Sequence, residues 1–420
     1  MDNQKVDKAN QPKTEQYTFA NLGIDQDFLN VLNRLSFFVP TPIQHKAIPV
    51  AIEGKDVVGI AQTGTGKTLA FGIPMIQRLM KLNKKRGLII LPTRELAAQV
   101  NESLQKLGRG FGLRTAVLIG GDSMRYQIQA IKNDPHIIIG TPGRINDHLK
   151  QKTLHFNNVA ILVLDEADCM LDMGFAPQIK QILLSVPQDR QTMLFSATMP
   201  DQIIKIANTY MKLPLRVEIA RPGTTSENVE HELFFTKRDQ KMPLLQKLLK
   251  EHKGSVLVFL RTKHTAKKIC RDLNLVNFSA AEIHSNRSLS QRREALAGFK
   301  SGKYRILVAT DIASRGIDVK GIELVLNYDI PESAGDYVHR IGRTGRAGSS
   351  GKAISFVLPD QRNKVREIER LIRSTIPISQ LPELPYIPYV KPERESFQKT
   401  HSNNSRSGGY KGKNNFRKRY

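Results

Sequence analysis

The sequence lacks the residues and segments that define several classes of protein. Its two cysteines, Cys169 and Cys270, are too few for a disulfide framework or a zinc site, which favours a reducing compartment. No apolar run approaches the length of a membrane span, and residues 1–16 contain no apolar signal-peptide core. We therefore expect a cytoplasmic protein whose cysteines serve packing rather than reactivity.

Acidic residues are also scarce relative to basic ones. The sequence contains 64 Lys and Arg but only 39 Asp and Glu, which gives a formal net charge of +25. A charge of this size favours a polyanionic partner, most simply a nucleic acid, although it could serve solubility alone. The length of 420 residues predicts two domains of ordinary size with tails.

Short apolar runs alternate with longer amphipathic segments in two blocks, at 18–220 and 229–378. The first block contains VVGIA, GLIILP, TAVLIG, HIIIGTP, ILVLD and QTMLFSA, and the second contains VLVFL, RILVATD, LVLNYD and AISFVL. This alternation predicts an α/β fold in which each block is a parallel sheet covered on both faces. Turn-forming residues 221–228 predict a linker, and residues 1–17 a disordered leader.

The two blocks resemble each other. GLIILPTRE is similar to SVLVFLRTK, and ILVLDEAD to ILVATDIA, so each block places polar residues after buried strands. Open α/β sheets bind ligands at these carboxyl ends. We predict two copies of one lobe with the functional site in the cleft between them.

The C-terminal segment, residues 379–420, first contains prolines and then becomes basic and polar. Residues 396–420 carry seven Lys or Arg and no acidic residue, with Tyr410, Phe416 and Tyr420 interspersed. Such a segment is too polar to fold alone. It is either an inert solubilising tail or, as we favour, an electrostatic arm with groups that stack on RNA bases.

A phosphate-binding loop follows the strand DVVGI. The segment AQTGTGKT matches the usual pattern, except that Ala61 replaces the first glycine. Glycine backbone and the following helix N-terminus suit phosphate oxygens, Lys67 should reach the β- and γ-phosphates, and Thr68 should hold Mg²⁺. The candidate nucleotide-binding residues are Ala61, Gln62, Thr63, Gly64, Thr65, Gly66, Lys67 and Thr68.

Three carboxylates follow the buried run ILVL. Asp165 is placed to hold Mg²⁺ through water, and Glu166 to act as general base toward the attacking water. Asp168 is left for a structural or switching contact. Because no guanine-reading Asn-Lys-x-Asp segment occurs, the nucleotide should be ATP rather than GTP.

Asp165-Glu166-Ala167-Asp168 also spells the signature of the DEAD-box RNA helicases, and the resemblance covers residues 18–375. It looks closest to the bacterial RhlE-type members. The resemblance implies two RecA-like lobes in tandem, ATP and Mg²⁺ as cofactors, and sequence-tolerant RNA as partner. The implied activity is RNA-stimulated ATP hydrolysis coupled to non-processive local unwinding of short RNA duplexes or RNP remodelling. Ribosomal precursors or the RNA-decay machinery are the implied partners, and the sequence selects no pathway.

The resemblance assigns further first-lobe residues. FVPTPIQ resembles the adenine-reading motif, with Gln44 on the base edge, Phe37 stacked on the base and Phe19 as an upstream aromatic; the family usually has Gly where Ser36 stands. The predicted RNA contacts in this lobe are Thr93, Arg94, Gly121, Thr141 and Arg144. The segment Ser196, Ala197 and Thr198 resembles the motif that links hydrolysis to unwinding, and its hydroxyls could bond Asp168.

The resemblance also assigns residues in the second lobe. Arg261, Thr262, Thr310 and Arg315 are the predicted RNA contacts, and Gly316 and Asp318 face the nucleotide. His339 and Arg340 are expected to contact the first lobe. Arg343 and Arg346 resemble arginine fingers, whose permanent charge suits the γ-phosphate in the transition state.

One segment departs from the family. HSNRSLSQRR has Ser285 where a Gly is common and Leu289 where a Gln is common, while Arg292 keeps the arginine. A small register shift would let Gln291 take over the glutamine's role.

Three other functions are open at this point. An ATP-locked RNA clamp would keep the enzyme but unwind little. A non-enzymatic RNA-binding scaffold is disfavoured by Lys67, Asp165, Glu166, Arg343 and Arg346. A DNA helicase is disfavoured by the adenine-reading motif and the SAT segment.

Overall fold

The computed structural model describes residues 17–62, 64–219, 229–311, 319, 321–345 and 350–384. The predicted leader before residue 17, the linker and the basic arm lie outside these ranges. Within them, the chain forms two parallel β-sheets, each with helices on both faces.

The first sheet has seven strands in the order β3-β4-β2-β5-β6-β1-β7. Its strands are β1 (Val57–Ile60), β2 (Arg86–Ile90), β3 (Thr115–Leu118), β4 (Ile137–Gly140), β5 (Val159–Leu164), β6 (Gln191–Ser196) and β7 (Leu215–Glu218). Its helices are α1 (Gln26–Arg34), α2 (Pro42–Ile52), α3 (Lys67–Lys81), α4 (Arg94–Gly108), α5 (Met124–Lys132), α6 (Pro142–Lys150), α7 (Ala167–Asp172), α8 (Ala176–Ser185) and α9 (Asp201–Tyr210).

The second sheet has six strands in the order β10-β11-β9-β12-β13-β8. Its strands are β8 (Val229–Phe235), β9 (Val256–Leu260), β10 (Ala280–Ile283), β11 (Ile306–Thr310), β12 (Leu324–Asn327) and β13 (Gly351–Val357). The helices that the structure describes here are α10 (Lys241–Glu251), α11 (Lys263–Leu275), α12 (Leu289–Lys300), α13 (Ala334–Ile341) and α14 (Arg362–Ile372).

Both sheets are buried on their two faces, as the apolar strand runs predict. Alternate residues of β5 enter opposite core clusters: Ile161 and Val163 face one, and Leu162 and Leu164 face the other. The second lobe repeats this arrangement in β9, where Val258 and Leu257 enter different clusters. This burial explains why the strands are continuously apolar rather than alternating.

Three strands were not predicted: β7, β8 and β10. The first is an edge strand with a half-exposed sequence, LRVE, and the second, VEHELFF, carries charged residues that mask its apolar side. The third, AAEI, is too short and too weakly apolar to be recognised. Each depends on pairing with a neighbouring strand, which a local sequence pattern does not reveal.

The strand order brings the predicted motifs together. Strand β6 lies between β5 and β1, so the segments after all three strands meet at one edge of the sheet. These segments are the phosphate-binding loop, the acidic cluster and the SAT segment. Separately, no helix among the described residues is long and apolar enough to cross a membrane.

Candidate nucleotide and RNA site

The phosphate-binding loop joins β1 to α3. Gly64 and Gly66 have φ of 90° and 91°, values in the left-handed region that side chains rarely adopt. A Cβ atom on Gly66 would also lie only 2.3 Å from Gln44 Nε2. Both glycines are therefore required by the turn that starts α3 at Lys67.

Lys67 carries a buried ammonium group that forms no hydrogen bond within the described part of the chain. Its side chain is 6% exposed, and Nζ has no hydrogen-bond acceptor there. Asp165 Oδ1 lies 3.7 Å away, close enough for an ion pair but not for a hydrogen bond. A buried ammonium without acceptors fits a site built for phosphate oxygens.

Asp165 follows β5, and its backbone N–H donates to Ile90 O at 3.1 Å. Burial raises the pKa of its carboxyl to about 6, and the opposing charge of Lys67 offsets only part of this effect. A carboxylate so poorly compensated by the protein is suited to a divalent cation. The donor set of Asp165 and Thr68, both oxygen ligands, fits Mg²⁺.

Glu166 has left-handed backbone, with φ of 51° and ψ of 49°, at the point where β5 passes into α7. Backbone strain of this kind persists where the surrounding fold imposes it and often marks a functional site. The buried Glu166 lines a small pocket with Lys67, Asp168 and Arg343. Glu166 and Asp168 are thus the two carboxylates of the cluster that line the pocket shared by Lys67 and the second lobe.

Asp168 is held by the SAT segment. Its Oδ2 accepts hydrogen bonds from the backbone N–H groups of Ala197 and Thr198 at 3.1 and 2.8 Å, and from Thr198 Oγ1 at 2.9 Å. The Ser196 hydroxyl accepts from Asp168 N at 3.3 Å. The expected bond between this segment and Asp168 is present.

The pKa of Asp168 reflects competing effects. Burial acts to raise it, but His339, Lys67 and the hydrogen bond from Thr198 together lower it below the usual value. Asp168 therefore stays ionised, and an anion at this position can bind groups from both lobes.

Two residues of α13 and the turn after it reach this pocket from the second lobe. His339 Nε2 lies 3.8 Å from Asp168 Oδ2, which agrees with the expected contact with the first lobe. Arg343 is 4% exposed and lines the same pocket as Lys67 and Glu166. The predicted finger and the predicted general base therefore lie against one cavity.

The hydrogen bonds that the structure gives Arg340 lie within the second lobe, and its expected contact with the first lobe stays a prediction. Its guanidinium is 2% exposed and bonds within the second lobe, to both oxygens of Asp311, to Asn327 Oδ1 at 3.0 Å and to Asp329 O at 2.6 Å. A buried guanidinium requires partners for its five N–H donors, and these bonds use four of them. Arg340 thus joins α13 to the strand ends of its own lobe.

Gln44 lies against the phosphate-binding loop. Its Nε2 donates to Gly66 O at 3.0 Å, and its Oε1 accepts from Thr41 N at 2.9 Å in a capping box that begins α2. The amide retains one N–H and one lone pair for a base edge. Phe37, which is close to Gln44 in the sequence, has an exposed side chain. Phe19 is 4% exposed and packs in the first-lobe core. The adenine role of all three stays a prediction.

The predicted RNA contacts of the first lobe cluster at helix starts. Thr93 caps α4, Thr141 precedes α6, and Arg144 Nη1 donates to Asp122 O at 3.0 Å. The Arg94 guanidinium covers Gly120 and Gly121, since a Cβ on Gly121 would lie 2.5 Å from its Nη1. The glycines therefore allow the close approach of Arg94.

The second lobe places fewer of the predicted RNA contacts within the described ranges. Thr262 caps α11, Thr310 ends β11, and the exposed Arg261 pairs with Glu332 at 2.8 Å. Thr63, Arg315, Gly316, Asp318 and Arg346 lie outside the residues that the structure describes. Their roles stay predictions.

The segment that departs from the family gives two further findings. Gln291 is exposed and forms a capping box with Ser288, with its Oε1 accepting from Ser288 N at 3.1 Å. Its taking over the role of the family's glutamine stays a prediction. Arg292 Nη2 bonds Glu95 Oε2 of the first lobe at 2.7 Å, with both side chains buried. Glu95 is not among the site residues expected from the sequence, although a carboxylate directly after Arg94 was a visible signal.

Comparisons with known proteins match both lobes. A family profile described as DEAD/DEAH box helicase matches residues 41–206, and one described as helicase conserved C-terminal domain matches residues 240–348. The DEAD-box ATP-dependent RNA helicase CshA of Geobacillus kaustophilus is 44% identical over 84% of this chain and 76% of the relative. ATP-dependent RNA helicase CshA of Listeria monocytogenes is 44% identical over 87% and 70%.

Solved structures match the two lobes together. Mss116p bound to ssRNA and AMP-PNP has a TM-score of 0.81 at 27% identity, over 89% of this chain and 81% of that one. Dbp5 of S. cerevisiae bound to RNA and ADP BeF3 has a TM-score of 0.78 at 28% identity, over 87% and 95%. A DEAD box protein of Methanococcus jannaschii is 39% identical over 86% and 99%, yet its TM-score is 0.52. The TM-scores of the two RNA-bound structures are thus higher than that of the Methanococcus jannaschii protein, although their sequence identity to this chain is lower.

Proposed function

This chain belongs to the DEAD-box family of ATP-dependent RNA helicases, and we propose that closure of its two lobes couples ATP hydrolysis to non-processive unwinding of short RNA duplexes. The observation that carries the proposal is the pocket shared by Lys67, Glu166 and Asp168 of the first lobe and His339 and Arg343 of the second. A site completed by both lobes can act only when they meet.

Each group has a chemical role in this proposal. Lys67 binds the β- and γ-phosphates, and Glu166 accepts a proton from the attacking water. Thr68 and Asp165 would hold Mg²⁺, which when bound neutralises charge on the phosphates. Arg343, together with Arg346, stabilises the charge that develops on the γ-phosphate. Such fingers contribute roughly a thousandfold or more in related phosphoryl-transfer enzymes.

Asp168 is the proposed link between hydrolysis and RNA. It bonds Thr198 in the first lobe and lies near His339 in the second, so its contacts differ between open and closed lobes. ATP and RNA each bridge the cleft in this scheme. Each ligand therefore favours the closed state and strengthens the binding of the other.

RNA recognition in the proposal depends on the sugar-phosphate backbone. The assigned groups are hydroxyls, guanidinium groups and glycine backbone, which contact phosphate and ribose rather than base edges. Binding should therefore tolerate many sequences. We further propose a cytoplasmic location, ribosomal precursors or the RNA-decay machinery as partners, and domain boundaries at 18–220 and 229–378. The RhlE-type assignment likewise stays a prediction.

Steady-state ATP hydrolysis by the full chain, with no nucleic acid, with single-stranded RNA or with single-stranded DNA, tests the proposal. We expect strong stimulation by RNA alone, because RNA favours the closed state in which Arg343 reaches the phosphates. A rate indifferent to RNA would contradict the coupling. RNA held under AMP-PNP without strand displacement would instead favour the clamp, and equal stimulation by DNA would favour a DNA helicase.

A further inference from the structure

Helix α12 belongs to the second lobe but packs against both lobes. Its first residue, Leu289, is 7% exposed and belongs to the buried apolar cluster of the first lobe, which also contains Leu96 and Ile119. Later residues of the same helix, Leu296 and Phe299, belong to a cluster of the second lobe. The helix is thus anchored in its own lobe and inserts its first side chain into the other.

Leu289 meets the first lobe at Gly121, whose φ is 85°. A Cβ on Gly121 would lie 3.8 Å from Leu289 Cβ and 2.5 Å from Arg94 Nη1. Leu289 and Arg94 therefore flank the same glycine. The apolar contact is made at the loop that positions a predicted RNA-binding guanidinium.

Polar contacts surround this apolar one. Arg292 bonds Glu95 at 2.7 Å in a buried pair, and the more exposed Arg293 lies 3.6 Å from Asp122. The first turns of α12 therefore contact two of the three first-lobe segments that carry predicted RNA contacts, those of Arg94 and Gly121. Leu289 is the apolar member of this set of contacts.

Local helix formation does not account for Leu289. The helix start is already satisfied by the capping box between Ser288 and Gln291. A leucine exposed on an open second lobe would also be unfavourable, whereas burial against the first lobe removes it from water. Its contribution to free energy is therefore gained on closure rather than on folding.

We propose that Leu289 is a positioning residue that fastens the Gly120–Asp122 loop to the second lobe and stabilises lobe closure independently of RNA. The inference depends on the RNA-coupled closure proposed above. Leu289 stands where the family commonly has Gln. Its apolar side chain forms neither hydrogen bonds nor ion pairs. A larger closed population before RNA arrives lowers the RNA concentration needed for half-maximal activity.

The test compares Leu289→Gln with the matched control Ser290→Gln, an exposed neighbour on the same helix. We expect Leu289→Gln to raise the RNA concentration for half-maximal ATPase activity by about fivefold. Its kcat at saturating RNA and its thermal midpoint should match those of the wild type. The control should change neither quantity. An unchanged half-saturating RNA concentration, or a loss confined to kcat, would overturn the inference.

A distance measurement tests closure without relying on activity. Cys169 and Cys270 are buried, so dyes will attach selectively to Lys132→Cys in the first lobe and Arg271→Cys in the second, both exposed positions. Energy transfer between the two dyes then reports the distance between the lobes, and the closed lobes give high transfer. With AMP-PNP and no RNA, Leu289→Gln should lower the population with high energy transfer severalfold relative to Ser290→Gln. Equal populations would overturn the inference. An ATPase indifferent to RNA in the wild type would instead contradict the proposed function alone.

Discussion

At the residue scale, Glu166 unites a buried carboxylate with left-handed backbone beside Lys67 and Arg343. Glu166→Gln keeps the shape of the side chain but cannot accept the water's proton. We expect ATP and RNA binding to persist while single-turnover hydrolysis falls by about a hundredfold or more.

The control for this variant is Glu102→Gln, which removes an exposed first-lobe carboxylate paired with Lys106 at 2.7 Å. It should hydrolyse ATP at the wild-type rate, because exposed pairs contribute little. Turnover by Glu166→Gln within twofold of the wild type would exclude Glu166 as the base.

Ser36 provides a second prediction at this scale. It follows α1 and has φ of 61°, the conformation that glycine favours just past a helix end and the place where the family usually has Gly. Ser36→Gly should stabilise the protein by about 1 kcal/mol by relieving the left-handed strain. Far-UV circular dichroism in urea measures this change, since the chain has no tryptophan.

Ser36→Ala is the matched variant, because it removes the hydroxyl but keeps the Cβ atom. It should give no gain in the free energy of unfolding. If both variants stabilise equally, the positive φ is not the source of the effect.

At the scale of a single element, α13 depends on Arg340 for its attachment to the second lobe. Arg340→Gln would leave Asp311 without its bidentate partner, and we expect a loss of about 3 kcal/mol in the free energy of unfolding. The matched control is Arg271→Gln on α11, whose exposed pair with Asp272 should contribute little. An Arg340→Gln protein as stable as the control, yet uncoupled from RNA, would favour a role for Arg340 between the lobes.

At the scale of the whole molecule, the proposed mechanism limits how much duplex one closure can open. Each stacked step in DNA is worth about 1.4 kcal/mol, and RNA should be comparable, so local strain can melt only a few pairs. RNA duplexes of about 10 base pairs should therefore be displaced much faster than duplexes of about 30. Equal rates in a strand-displacement assay would contradict non-processive unwinding.

The basic arm, residues 396–420, gives the second prediction at this scale. If three of its seven Lys and Arg contact phosphates, deleting the arm should reduce the slope of log affinity against log salt by about 2. The ATPase rate at saturating RNA should stay nearly unchanged. An arm of equal length with each Lys and Arg changed to Gln is the matched control and should behave like the deletion. An unchanged slope would mean that the arm is inert.

The two α/β lobes and the candidate residues of the nucleotide site follow from the amino-acid sequence alone. The reason is local: buried parallel strands are continuously apolar, and a loop such as AQTGTGKT needs glycines at fixed positions. Asp165 and Glu166 were identified from their positions just after a buried strand and Lys67 from its place in the glycine loop, and the strand order then brought them to one edge.

The residues that join the lobes are evident only from the packing of the folded chain. Arg340 is bound within its own lobe, Gln291 caps its own helix, and Leu289 and Arg292 reach the first lobe instead. Adjacent residues on α12 and α13 point toward different partners, and neither composition nor spacing encodes which surface will meet them. Such contacts depend on how the two sheets are positioned relative to each other. A local sequence pattern does not reveal this position, because residues far apart in the chain contribute to it.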